Sequence, residues 1–271
     1  ARGGYRSRAD LAVAVAARMT PWLPTLLALS SSSPFWRGED SGYASMRTLI
    51  WQRWPTAGPF GALTTAAEYD QLLDDLVSSG VIADAKMAYF DVRPSAHLPT
   101  LELRICDACP LVDDAVMIAG LFRALVATEL QAVSRGVGAV DVPGPLYRAA
   151  IWRAARSGLE GDLVDLMSFG APATAEAVVR RLLEYVRPAL MRLGDWERVR
   201  ALVVSTWGQL ETARAMIRSG QAAVTAAEIA LNGVREEAKV GQRTTLDVLN
   251  AQQALLNARV LLVTSQRDRV V

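Results

Sequence analysis

The sequence predicts an α+β chain: a partial antiparallel sheet packed with helices, followed by a long C-terminal α-helical coiled-coil hairpin. The first observation is the stretch 100–107, where Leu101, Leu103 and Ile105 alternate with Thr100, Glu102, Arg104 and Cys106. A period of two with one aliphatic side is the pattern of a strand with one face in a core. The second is helical spacing over most of residues 10–193. The third is a change of character at Trp196. From there Leu210, Ala213, Ile217, Gly220, Val224, Ala227, Leu231 and Val234 recur at alternating steps of three and four. That is an a/d heptad seam, the mark of a coiled coil.

Taken in order, residues 10–20 read as a helix, and Pro21 stands where a new turn can begin. A second short helix runs to Leu29 and stops in Ser30 to Ser33. A loop rich in aromatic, charged and glycine residues follows over 34–43. Helical spacing returns over 44–54 and ends at Pro55. Thr65 and Glu68 form a capping box that opens a helix closing near Gly80. Residues 86–92 alternate again, and a seven-residue loop joins them to 100–107, so the two strands should pair antiparallel. Pro110 and the pair Asp113 and Asp114 introduce a helix over 115–133. Residues 136–145 read as a linker. Helices at about 146–157 and 174–193 follow, the second capped by Thr174 and ended by Gly194. The heptad helix should stop at Gly241. Thr244 and Asp247 recap a returning helix, in which Val248, Ala251, Leu255, Ala258 and Leu262 resume the three-four alternation. The seam is rich in alanine and glycine, and a lone two-helix hairpin buries little, so it calls for further helices beside it.

With 29 Lys+Arg against 28 Asp+Glu, no global field argues for a nucleic-acid or anionic-membrane partner. Two cysteines in 271 residues do not make a disulfide scaffold. The apolar run 9–29, behind Arg2, Arg6 and Arg8, imitates a signal or membrane segment. Arg18, Pro21 and Pro24 interrupt it, and core packing is the expectation.

The chemistry concentrates around the alternating stretch. Glu102 and Arg104 share a strand face, which reads either as a surface ion pair of little consequence or as a site face. In the second reading Glu102 ligates a hard cation and Arg104 grips phosphate or carboxylate. Asp91, Arg93 and His97 could converge at the same end. His97 is the only histidine and sits between Pro94 and Pro99, a loop position without a nucleophile elbow. Cys106 and Cys109 fit C-x-x-C, but zinc would need two further soft or imidazole ligands, and no βαβ setting surrounds them. Trp36, Trp51 and Trp54 read as core or loop anchors, since no basic stripe accompanies them. Neither a P-loop nor G-x-G-x-x-G is present.

Several segments together resemble the type 2 glutamate–cysteine ligase-like carboxylate–amine ligases. They are Leu29-Ser30-Ser31-Ser32-Ser33-Pro34-Phe35-Trp36, Gly42-Tyr43-Ala44-Ser45-Met46-Arg47, Trp54-Pro55-Thr56-Ala57-Gly58, Asp91-Val92-Arg93-Pro94-Ser95, residues 100–107, and Trp152-Arg153-Ala154-Ala155-Arg156-Ser157-Gly158-Leu159. The likeness spans about 9–203 and corresponds to the C-terminal part of such an enzyme. It implies ATP-dependent ligation of a small carboxylate and an amine through an acyl phosphate, with Mg²⁺ offsetting phosphate charge. On that resemblance Arg104 and Arg93 are catalytic candidates, Arg47 and Arg104 would bind the nucleotide, and Glu102 would hold the metal. The family's earlier strands, with acidic ligands and a His-x-His segment, should precede residue 9. Residues 1–8 hold no histidine and no acid, so an incomplete and inactive site is expected.

Residues 203–271 resemble instead the C-terminal helices of TolC-type outer-membrane efflux proteins. The likeness rests on Val240-Gly241-Gln242-Arg243-Thr244-Thr245-Leu246-Asp247-Val248-Leu249-Asn250-Ala251-Gln252-Gln253. It implies a tip, Gly241, Gln242, Arg243 and Thr244, that meets an efflux adaptor protein, and a hairpin that forms homo-oligomers. The expectation is therefore a chimera: a ligase-like region at 1–202 and an efflux-type hairpin at 203–271. The larger region implies the cytoplasm and the tail implies the periplasm or outer membrane.

Overall fold

The computed structural model describes residues 7–268. The expected positions of Arg2 and Arg6, and of the last residues of the returning helix, lie outside them. The chain divides into two compact units, Ala1–Arg200 and Ala201–Val271.

In the first unit, α1 (Arg8–Arg18) is capped by Ser7, whose side chain accepts from the Asp10 N–H. A 3₁₀ turn containing Pro21 links it to α2 (Leu23–Ser30), which is buried on every side. The apolar run is thus core: Val13, Ala14, Val15, Ala16, Met19, Trp22, Leu23, Leu26 and Leu27 are all at most 2% exposed. Around this hairpin pack α5 (Val112–Ser134), α6 (Gly144–Ser157) and α7 (Ala175–Leu193). α2 lies on α6, α1 and α7 lie on α5, and Met117, Leu121, Leu125, Ile151, Leu182 and Val186 fill the space between. A charged group, Glu129, enters this core. Glu129 accepts from Arg18 Nε at 2.6 Å and from the Tyr185 hydroxyl at 2.6 Å, so both carboxylate oxygens are paired. Gly120 admits the helical segment that begins at Trp196, because a Cβ there would stand 2.6 Å from Val199 Cγ2.

Smaller elements line one side. β1 (Phe35–Trp36) and β2 (Glu39–Asp40) form a short hairpin where the sequence predicts a loop. Arg37 at its turn has φ +53°, and Gly38 has φ +86°. α3 (Met46–Trp51) and α4 (Ala66–Ser78) follow, the latter opened by the expected Thr65/Glu68 capping box. β3 (Val92–Pro94) pairs antiparallel with β4 (Leu101–Leu103), with Arg93 opposite Glu102. Both strands are shorter than their alternation suggested. Residues 85–87 form a 3₁₀ turn, and after Leu103 the chain leaves the ladder because the Arg104 and Ile105 amides both turn to the Asp91 carbonyl. β5 (Asp162–Asp165) and β6 (Ala171–Thr174) form a further hairpin that sequence reasoning passed over.

In the second unit, α8 (Trp196–Lys239) reaches the tip, and α9 (Thr245–Asp268) returns. Gly241 takes φ +76°, and Thr244 and Asp247 cap α9 reciprocally at 2.9 and 3.2 Å. Gly220 lets Leu262 approach, and Arg259 donates to Glu228 at 2.8 Å between the two helices. The expected seam residues, Leu210 through Val234 and Val248 through Leu262, are covered wholly or in part, with Ile217, Leu231 and Leu255 the deepest.

Candidate active site

The site is built on a buried carboxylate. Asp107, 5% exposed, accepts from the Ser32 amide at 3.0 Å and from the hydroxyls of Ser33 at 2.7 Å and Ser45 at 2.9 Å. These contacts dock the end of α2 and the start of α3 onto the chain just after β4. Ser45 also N-caps α3 by accepting from the Thr48 amide. Helix α3 then presents Arg47 and Trp51, four residues apart and so on one face. The guanidinium of Arg47 stands 5.4 Å from the Trp51 ring centre.

Tyr89, ahead of β3, meets Trp51 with ring centres 4.9 Å apart and Trp54 edge-on at 5.6 Å. Arg104 lies over both Trp51 and Tyr89, 5.8 Å from the first ring centre and 5.3 Å from the second. Cation–π contact of this kind holds a guanidinium without using its donors. Beside it, Glu102 accepts from Arg93 Nε at 2.9 Å and stands 3.5 Å from Arg104 Nη1. Burial pushes the Glu102 carboxyl up, but the hydrogen bond from Arg93 and the two positive charges outweigh it and hold the group below the ordinary range.

The structure therefore brings Arg47, Arg93, Glu102 and Arg104 together, and it sorts the three arginines. Arg47 spends its donors on the carbonyls of Arg104 at 3.0 Å and Ile105 at 3.3 Å, with Asp107 at 3.8 Å. Arg93 is held by Glu102 and by the carbonyls of Ala88 at 2.7 Å and Lys86 at 3.3 Å. Arg104 has only the loose approach to Glu102 and the two rings. It is the arginine with donors to offer an anion.

Asp91 does not join this face. It is 3% exposed and accepts from the Tyr147 hydroxyl at 2.6 Å, on the side of α6. Burial pushes its carboxyl up to about 6, against the lowering pull of the Tyr147 bond, and the Tyr147 phenol is itself pushed well up by burial. His97 lies exposed in its loop, as expected. The cysteines are free thiols; burial pushes Cys106 up to about 12 and raises Cys109, which keeps both protonated and unreactive. The hairpin-tip residues Gly241 to Thr244 belong to the other unit. There Arg243 Nε donates to Glu237 at 2.7 Å, and Gln242 returns its amide to the Glu237 carbonyl. Sequence reasoning weighed Trp51 only as an anchor and gave Tyr89 no role. The four-residue step from Arg47 to Trp51 was the signal that could have placed an indole at the site.

A sequence model of the glutamate–cysteine ligase family 2 matches residues 6–236, a range that includes all of the first unit's site residues. The chain belongs to that family. Among its relatives, one from Frankia casuarinae named "Putative glutamate--cysteine ligase 2-2" is 61% identical over 215 residues, 78% of this chain and 25% of the relative. A Mycolicibacterium smegmatis protein of the same name is 57% identical over 196 residues, 71% of this chain and 49% of its own length. One from Salinispora arenicola, "Putative glutamate--cysteine ligase 2", is 47% identical over 191 residues, 70% of this chain and 50% of the relative. The chain thus spans a quarter to a half of these relatives. The family match also continues past residue 203, where the sequence had suggested a join, and takes in most of α8.

Proposed function

We propose that the first unit carries part of the site of an ATP-dependent carboxylate–amine ligase of the glutamate–cysteine type. The observation that supports it is the Arg93–Glu102–Arg104 face of the β3–β4 hairpin, walled by Trp51 and Tyr89. In this reaction a carboxylate oxygen attacks the terminal phosphorus of ATP, giving an acyl phosphate and ADP. An amine then displaces phosphate to form the amide and gives up a proton. Negative charge sits on the acid and on the transferred phosphoryl group throughout, and fixed guanidiniums stabilise it most where water is excluded. Arg104 would make the direct contact. Arg93 and Arg47 would contribute chiefly field, because each guanidinium is already anchored to two backbone carbonyls.

The fit to Mg²⁺ is poor on these residues alone. A hard cation of that size wants about six oxygen ligands. Glu102 is already shared by two arginines, and among the described residues no group of three or more His, Cys, Asp or Glu could hold a metal ion. Glu102 is better placed to orient Arg93 and Arg104. A reaction that consumes ATP points to the cytoplasm.

The test is equilibrium binding of L-glutamate and of Mg·ATP to the chain, with ADP release measured in the presence and absence of an amine. Millimolar binding of at least one ligand without ADP release is the expected result, since the chain carries only part of the site. No binding of either at millimolar concentration overturns the reading.

A second reading concerns residues 201–271, where Leu246, Leu249, Leu256, Val260 and Val263 lie exposed along α9. We propose that this hairpin serves self-association, with the Gly241–Thr244 tip as a further contact point. Sedimentation of the chain over a wide concentration range tests it, and a monomer throughout excludes it.

A further inference from the structure

Charged helices of the first unit mostly mix their signs. In α7, Arg180 pairs with Glu176 and Arg187 approaches Glu184. Two helices do not. α4 holds Glu68, Asp70, Asp74 and Asp75 and no cation, whereas α6 holds Arg148, Arg153 and Arg156 and no carboxylate. Glu68 is spent on the capping box, and Asp75 accepts from Gln71. Among the described residues, none of Asp70, Asp74, Arg148, Arg153 and Arg156 is in an ion pair, although all five lie exposed.

Both rows are unfavourable while nothing faces them. Asp70 with Asp74, and Arg153 with Arg156, are like charges one turn apart, a spacing that destabilises a helix. Asp74 and Asp75 also stand toward the negative C-terminal end of α4, and Arg148 toward the positive N-terminal end of α6. The rows match in spacing. Asp70, Asp74 and Asp75 stand at i, i+4 and i+5, and Arg148, Trp152 and Arg153 repeat those steps, with Arg156 close behind. Trp152, among the arginines, is 46% exposed. A large indole beside arginines is the composition of an interface anchor.

We propose that α6 docks on α4 of a second copy of this chain, the Arg148–Arg156 row facing the Asp70–Asp75 row with Trp152 seated between them. An antiparallel crossing sets Arg148 against the acids at the negative end of α4, which relieves both rows at once. In a two-fold pair the contact occurs twice, because each copy offers both helices. Complementary rows within one chain select a second copy over an unrelated acidic partner. The contact uses neither the Arg104 face nor the α8–α9 hairpin.

The experiment is sedimentation of the full chain carrying Leu249→Asp and Leu256→Asp, at exposed α9 positions, so that association through the hairpin does not contribute. This parent should associate at low salt and do so about tenfold more weakly in about 1 M salt, where the screening length falls to about 3 Å. Arg148→Glu with Arg153→Glu, or Asp70→Arg with Asp74→Arg, should each weaken association about a hundredfold, since like charges then face across the contact. Mixed in equal amounts, the two reversed chains should associate as the parent does, because each row again meets its opposite. Trp152→Ala should weaken association about tenfold. Arg218→Glu with Arg235→Glu, the same reversal at exposed positions on α8, should change nothing.

A monomer throughout at low salt overturns the proposal. So does association that survives either reversal, or folded reversed chains that do not restore one another. Should a reversed chain fail to fold, Arg153→Gln and Asp74→Asn must each weaken association at low salt and not at high salt, and no effect from either overturns the pairing. Association through the hairpin is read separately, from the chain with Leu249 and Leu256 intact.

Discussion

Two ion pairs on either side of residue 200 show how differently the units are held. Asp107 is buried and gathers an amide, two serine hydroxyls and a guanidinium around one carboxylate. Glu228 meets Arg259 between two helices in water, with both side chains about half exposed. The apolar residues divide the same way. Helix α2 is buried on every side, whereas α8 covers one narrow stripe and leaves Met216 and Ile229 at least half exposed. The first unit is a packed domain whose polar groups had to be satisfied from within. The second is a hairpin that water satisfies almost everywhere, so its specificity lies in spacing and caps. Six of the seven tryptophans lie in the first unit and Trp207 in the second, which gives each a spectroscopic reporter.

The largest expected contrast is between core truncations. Leu26→Ala, at a fully buried site, should cost about 3–5 kcal/mol, and Leu231→Ala, with exposed neighbours that can close in, about 1–2 kcal/mol. Urea unfolding followed at 290 nm and by helical ellipticity measures both, and equal costs would erase the distinction between the units. The ion pairs come next. Asp107→Ala should cost about 3 kcal/mol or more by stranding three donors and Arg47. Glu228→Ala should cost under about 0.5 kcal/mol and less in high salt.

Acid should separate the units by sign. The Asp91 carboxyl is raised to about 6 from an ordinary 3.8, so the folded first unit holds that proton more tightly than the unfolded chain. Its contribution is whole below pH 3.8 and falls away as pH rises through about 6, by about 3 kcal/mol in all. The difference in stability between wild type and Asp91→Asn should therefore change over that window. In the hairpin, the Thr244 amide holds the Asp247 carboxyl below its ordinary range, so that group supports folding at neutral pH and loses its effect on acidification. A wild-type-minus-Asp91→Asn difference flat between pH 4 and 7 would contradict the assignment of Asp91 as a buried acid.

The smallest effects sharpen the picture of the hairpin. Gly241 sits at φ +76° and Gly233 within the helix with open space around it. Gly241→Ala should cost about 1 kcal/mol and Gly233→Ala should gain about 0.5–1 kcal/mol. Thermal melts followed at the helical band read both.

Much of this was legible in the chain. The Thr65/Glu68 and Thr244/Asp247 boxes, the caps at Thr174 and Gly194, the core-packed run that starts at Val13 and the covered stripe of the hairpin all follow from local rules that need no partner. The strand alternation correctly set Glu102 and Arg104 on one side, and the ordered motifs led to the family. What the alternation could not say is where a ladder stops. Asp91 ends it by taking two amides onto one carbonyl, and that choice depends on Gly58 and Tyr147, which are distant in sequence. Nor could spacing rank Arg47, Arg93 and Arg104. Their residue type is the same, and only the tertiary structure determines which backbone carbonyls reach two of them and leave the third beside an indole with its donors unspent.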